Sequence, residues 1–159
     1  MAGKKIIDKR EVFYALFAAV AYLVMVIVFL NNPIFPQTWL LYVGNALFGI
    51  IVAIYLFNYS SKTNHKASAY SMLKAGHIVT TMGILVSVLV IAFIVLFWKE
   101  HYANTPPQIR PEQNHGLVFI LFLDAIVGNI SSGSFVSILL PFSLTKMQKG
   151  GAEPSGDLK

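Results

Sequence analysis

The chain has 159 residues and no cysteine; 56% of it is hydrophobic, only 12% is charged, and the formal net charge is +5. Soluble domains average about 25% charged residues. Half that share, at high apolar content, excludes a disordered chain, a disulfide-bonded scaffold and a water-soluble fold. The apolar residues concentrate in four stretches, 12–30, 39–57, 75–98 and 117–142, and Asp124 is the one Asp, Glu, Lys or Arg inside them.

A helix needs about 20 apolar residues to cross a hydrocarbon core of about 30 Å, and each stretch meets this. Barrel strands would alternate and run about 10 residues. The stretches do neither, so helices, which satisfy their own backbone groups in lipid, are predicted. The fold class is all-α: a polytopic membrane protein of four transmembrane helices.

In chain order, residues 1–11 form a tail rich in Lys4, Lys5, Lys9 and Arg10. The first span is longer than the 7–15-residue core of a signal peptide, and no small-x-small site follows it, so it reads as a retained helix. Asn31, Asn32, Pro33 and Pro36 favour a tight turn before the second span, which makes spans 1 and 2 an antiparallel hairpin. The connection 99–116, with Pro106, Pro107 and Pro111, is expected to be extended. Spans 3 and 4 form the second hairpin. Residues 143–159, with Gly150, Gly151, Pro154 and Gly156, read as a disordered tail.

Four spans place both tails on one side. That side carries ten basic residues (Lys4, Lys5, Lys9, Arg10, Lys62, Lys66, Lys74, Lys146, Lys149 and Lys159), against Lys99 and Arg110 on the other. The positive-inside rule makes both termini cytoplasmic. Small size and the strength of this bias point to a bacterial inner (plasma) membrane. The basic excess is then topology with anionic-lipid contact, and no nucleic-acid partner is implied. Trp39, Tyr42, Trp98 and Tyr102 fall at the outer interface and Tyr14, Tyr55 and Tyr59 at the inner one, where amphipathic rings anchor.

Spans 2 and 4 run in the same direction and align without gaps over 43–62 and 127–146. Val43, Gly44, Asn45, Gly49, Val52, Ile54, Leu56 and Lys62 match Val127, Gly128, Asn129, Gly133, Val136, Ile138, Leu140 and Lys146. The match suggests an internal repeat with a pseudo-twofold axis along the membrane normal.

At 1.5 Å per residue, Tyr22 lies about 15 Å from the cytoplasmic end of its span, Asn45 and Ser87 about 18 Å, and Asn129 about 20 Å. Each span thus offers one hydrogen-bonding group near the midplane. Asp124 lies in the outer third, and an intramembrane carboxylate is a functional hypothesis by default. Gly128 and Ser131, at i+4 and i+7, share its helical face. Asp124, Asn45, Asn129, Ser87 and Tyr22 make up the candidate intramembrane polar site. The two asparagines read first as an interhelical clamp, amide to amide, and second as a ligand site. Small residues let helices approach in lipid; Gly76, Thr80 and Gly83, continued by Ser87, form such a face on span 3, and Gly49, Gly128 and Gly133 serve on spans 2 and 4.

No catalytic residue is identified. Ser131, Ser132, Ser134 and Ser137 lack a base at their depth. One histidine within the spans, His77, cannot ligate a haem between helices, and no zinc-type cluster is present, so no cofactor is expected. These readings describe a small integral membrane protein without catalytic activity, an accessory, scaffold or assembly subunit, partnered by the bilayer and by copies of itself or a larger membrane complex. The alternative is a small ion- or proton-coupled solute transporter or channel acting as an oligomer.

Overall fold

The computed structural model describes residues 8–31, 37–62, 67–97 and 115–150, and every regular element among them is helical. The elements are α1 (Lys9–Asn31), α2 (Trp39–Lys62), α3 (Ala69–Phe97), α4 (His115–Leu123), a π-helical turn (Asp124–Gly128) and α5 (Asn129–Gly150). The last three follow one another without a break and form a single fourth rod. Four helices are long and apolar enough to cross a membrane. The turn prolines Pro33 and Pro36, the proline-rich connection, Trp98, Tyr102 and the tail beyond 150 lie outside the described residues.

The helices overrun the apolar stretches where local chemistry sustains them. α1 begins at Lys9 because Asp8 and Glu11 cap it reciprocally: the Asp8 N–H donates to Glu11 Oε2 at 2.8 Å, and the Arg10 N–H to Asp8 Oδ1 at 3.5 Å. Such a pair satisfies amides that a helix start would otherwise leave unbonded. α3 begins six residues before its apolar run, where Ser68 Oγ accepts from the Ser71 N–H at 3.2 Å. α5 continues past position 142 to Gly150.

α1 packs against α2 and α3, α5 packs against the same two helices, and α2 and α3 meet more narrowly. α1 and the fourth rod therefore stand on opposite sides of a four-helix bundle. Its interior combines an alanine face on α1 (Ala15, Ala18, Ala19) with larger side chains such as Phe29, Phe48, Leu56, Met72 and Leu121. Phe13, Phe17, Leu89, Phe93, Phe135 and Phe142 point outward. A soluble protein rarely exposes so continuous an apolar surface; hydrocarbon chains solvate it without penalty.

Gly49, Gly76, Thr80, Gly83, Ser87 and Gly133 are buried, whereas Gly128 is half-buried. A methyl group on Gly83 would come within 2.8 Å of the Phe48 ring and 3.2 Å of the Ala15 carbonyl, so α1, α2 and α3 converge there. Gly133 lies against Thr80, Gly49 against Ser132 and Gly76 against Ser137.

The fourth rod buries every fourth residue: Leu117, Leu121, Ala125, Asn129, Gly133, Ser137 and Pro141. A step of four outruns the 3.6-residue turn. The π turn, with its i→i+5 bonding, holds an extra residue and takes up part of the difference. It also corrects the expected placement of Ser131. In an unbroken α-helix Ser131 would share the face of Asp124. In the structure it is exposed and bonds back to the Val127 carbonyl at 2.7 Å. Ser132 turns inward instead and donates to the Asn45 carbonyl of α2 at 2.7 Å.

Candidate functional site

The polar centre of the bundle is assembled on the first residue of the π turn. Asp124 accepts two hydrogen bonds from other spans: Tyr22 OH of α1 donates to Oδ2 at 2.9 Å, and Asn45 Nδ2 of α2 donates to Oδ1 at 2.8 Å. The partners lie 102 and 79 residues away in the chain. One carboxylate thus ties three of the four spans together. An ionised carboxylate is an acceptor only and can take several donors, and bonds to it are among the stronger kinds.

Backbone approach on two sides positions the donors. Gly44 lies under the Tyr22 ring, where a methyl group would stand 3.0 Å from Cδ2. Gly128, the last residue of the π turn, lies against the Asn45 amide; a methyl group there would fall 2.8 Å from both Cγ and Oδ1. Side chains at these two positions would displace the donors from Asp124.

Of the five residues expected at the polar site, Tyr22, Asn45 and Asp124 are bonded together. Asn129, which directly follows the π turn, bonds within the fourth rod, donating from Nδ2 to the Ala125 carbonyl at 3.1 Å. Ser87 is fully buried and spends its hydroxyl on the Gly83 carbonyl of α3 at 2.9 Å. The amide-to-amide clamp between Asn45 and Asn129 is not formed. Any such bond needs a side-chain oxygen as acceptor, and Oδ1 of each residue is buried without a partner among the described residues. The carboxylate is the stronger acceptor and takes the Asn45 N–H. Thr80 Oγ1 and Ser137 Oγ, at the contacts of α3 with the fourth rod, are also buried without partners among the described residues.

A second polar cluster sits at the N-terminal end of α1. Glu11 is buried, accepts from the Asp8 N–H, and lies 3.5 Å from the Tyr55 hydroxyl. Tyr55 is flanked by Tyr14 and Tyr59, whose rings are tilted against it with centres 5.3 and 6.0 Å away. Tyr55 is therefore packed inside the bundle end, whereas Trp39 and Tyr42 at the other end are exposed as interface anchors would be. A cavity of about 330 Å³ opens beside the cluster, lined by Asp8, Arg10, Tyr14, Asn58 and Lys62 among others.

Glu11 was missed in sequence because it stands one residue outside the first apolar stretch; the Asp8-x-x-Glu11 spacing of a capping box was the available signal. The inward turn of Ser132 was missed because it depends on the π turn, which shifts the face of every residue after it. Among the described residues, no three His, Asp or Glu side chains gather as metal ligands. No protein-family model, curated protein or solved structure matches the chain.

Proposed function

We infer that the chain is an integral membrane protein without catalytic activity, serving as an accessory, scaffold or assembly subunit, with both termini cytoplasmic and its spans arranged as two hairpins. The observation that carries this reading is the use of the interior polar groups as fasteners. Asp124 holds α1 and α2 to the fourth rod, Ser132 holds the fourth rod to α2, and Ser87 closes on its own helix. Interhelical bonds of this kind contribute about 0.6 kcal/mol each, up to about 1.7. In lipid, where apolar burial gives no drive for association, they specify which helices meet.

The packing of α1 along α2, and of α3 along α5, supports the hairpins. The internal repeat rests on the matched residues of spans 2 and 4; Asn45 with Asn129 and Gly49 with Gly133 occupy buried positions. The basic excess supports a bacterial plasma membrane with the positive face inward. Partners in this reading are the bilayer and either copies of the chain or a larger membrane complex.

A transporter or channel is the second reading, and the observation that favours it is Asp124 itself, a carboxylate placed on a helix irregularity within a span. π turns occur frequently at functional sites. Flux separates the two. Purified protein reconstituted in liposomes should leak protons and monovalent cations no faster than protein-free vesicles. A flux that depends on Asp124 would overturn the scaffold reading.

A further inference from the structure

We propose that Asp124, Asn45 and Asn129 form a binding site for a monovalent metal cation of the sodium type. The inference goes beyond the role assigned above, because a bound cation would stabilise the bundle whether or not it crosses the membrane.

Each Asn nitrogen is identified by the acceptor it faces: the Asp124 carboxylate for Asn45, the Ala125 carbonyl for Asn129. The other atom of each amide is therefore oxygen. Both oxygens are buried with no partner among the described residues, on side chains of residues 7% and 0% exposed. An amide oxygen accepts and cannot donate. Leaving one unpaired in the interior is costly, so two of them beside one π turn call for a ligand that supplies positive charge or a donor.

Charge narrows the class. The four apolar stretches contain no Lys or Arg, and the donors on Asp124 are a phenol and an amide, both neutral. Neutral donors leave the single charge of a carboxylate uncompensated. One monovalent cation balances it, whereas a divalent ion would leave a surplus charge. Hardness narrows it further. Carboxylate and amide oxygens suit hard cations, while transition metals seek nitrogen and sulfur. The carboxylate has lone pairs to spare beyond the two donors it already accepts.

Place in the fold agrees. Asp124 opens the π turn, Asn129 follows its last residue, and the Asn45 amide lies against Gly128 within that turn. Irregular helical backbone in membrane proteins is tolerated where it lines a cavity or an ion site.

The test uses the full chain purified in detergent, with ²²Na⁺ as the probe. Saturable binding displaced by unlabelled Na⁺ is expected, at about one ion per chain. The melting temperature should rise with NaCl relative to N-methylglucamine chloride at matched ionic strength and pH, as mass action requires for a ligand of the folded state. Asp124→Asn should abolish both responses. Asn129→Ala keeps the bonds among Tyr22, Asn45 and Asp124 and should weaken Na⁺ binding by about tenfold. Ser131→Ala, on the outer face, should leave both unchanged. Absence of saturable ²²Na⁺ binding would overturn the proposal, as would a melting temperature that follows pH alone, or full Na⁺ binding by Asn129→Ala. Liposome flux, which decides between scaffold and transporter, is a separate measurement from any of these.

Discussion

Replacing Asn45 by Leu removes one interhelical bond, the 2.8 Å contact to Asp124, while keeping a side chain of similar size against Gly128. The bond crosses between spans and ends on a carboxylate, so its loss should fall toward the upper part of the range for membrane interiors, about 1–1.7 kcal/mol. About 1.4 kcal/mol is tenfold in the unfolding equilibrium. The informative quantity is the coupling. Asn45→Leu and Asp124→Leu remove one shared interaction, so the double variant should lose about 1 kcal/mol less than the sum of the singles. Asn45→Leu and Asn129→Leu share no hydrogen bond, so in N-methylglucamine buffer, without Na⁺ to bridge them, their losses should add to within about 0.5 kcal/mol. The assay is reversible unfolding in mixed micelles followed by helical circular dichroism. Coupling between the two asparagines, with additivity between Asn45 and Asp124, would refute the arrangement and restore the amide clamp.

Three further outcomes rest on named contacts and a fourth on the distribution of basic residues. Ser132→Ala should cost about 0.6 kcal/mol or more and Ser131→Ala close to nothing, measured in the same unfolding assay; the reverse order would mean that the fourth rod is an unbroken α-helix. Gly128→Ala places a methyl group on the Asn45 amide and should destabilise by about 1–3 kcal/mol, the usual range for overpacking, whereas Leu89→Ala on the outer face should stay within about 0.5 kcal/mol. Glu11→Ala removes the reciprocal cap of α1 and should cost about 1 kcal/mol, seen as faster amide exchange at the start of α1. Reporter fusions at Lys159 and between Lys62 and Lys74 should read cytoplasmic and one near Pro107 the opposite side; an external signal from the Lys159 fusion would reverse the orientation.

The four spans were legible in the sequence because the property that makes them is local: an apolar run long enough to cross a bilayer must close its own backbone bonds, and a helix does so wherever the chain later packs. Burial of Gly49, Gly76, Thr80, Gly83 and Gly133 was legible for a related reason, since residues three and four apart share a face of any helix. The residues of the polar centre were also legible one by one, as hydrogen-bonding side chains in apolar surroundings. Their pairing was not. Asp124 meets Tyr22 and Asn45 across 102 and 79 residues, and no spacing rule reaches that far. Asn45 had two acceptors open to it, an amide and a carboxylate, and only the assembled bundle placed the carboxylate within reach. The π turn belongs to tertiary structure for the same reason. A helix by itself keeps 3.6 residues per turn. Holding Leu117, Ala125, Asn129 and Ser137 against α2 and α3 at steps of four requires one wider turn, and that turn carries Ser131 out and brings Ser132 in.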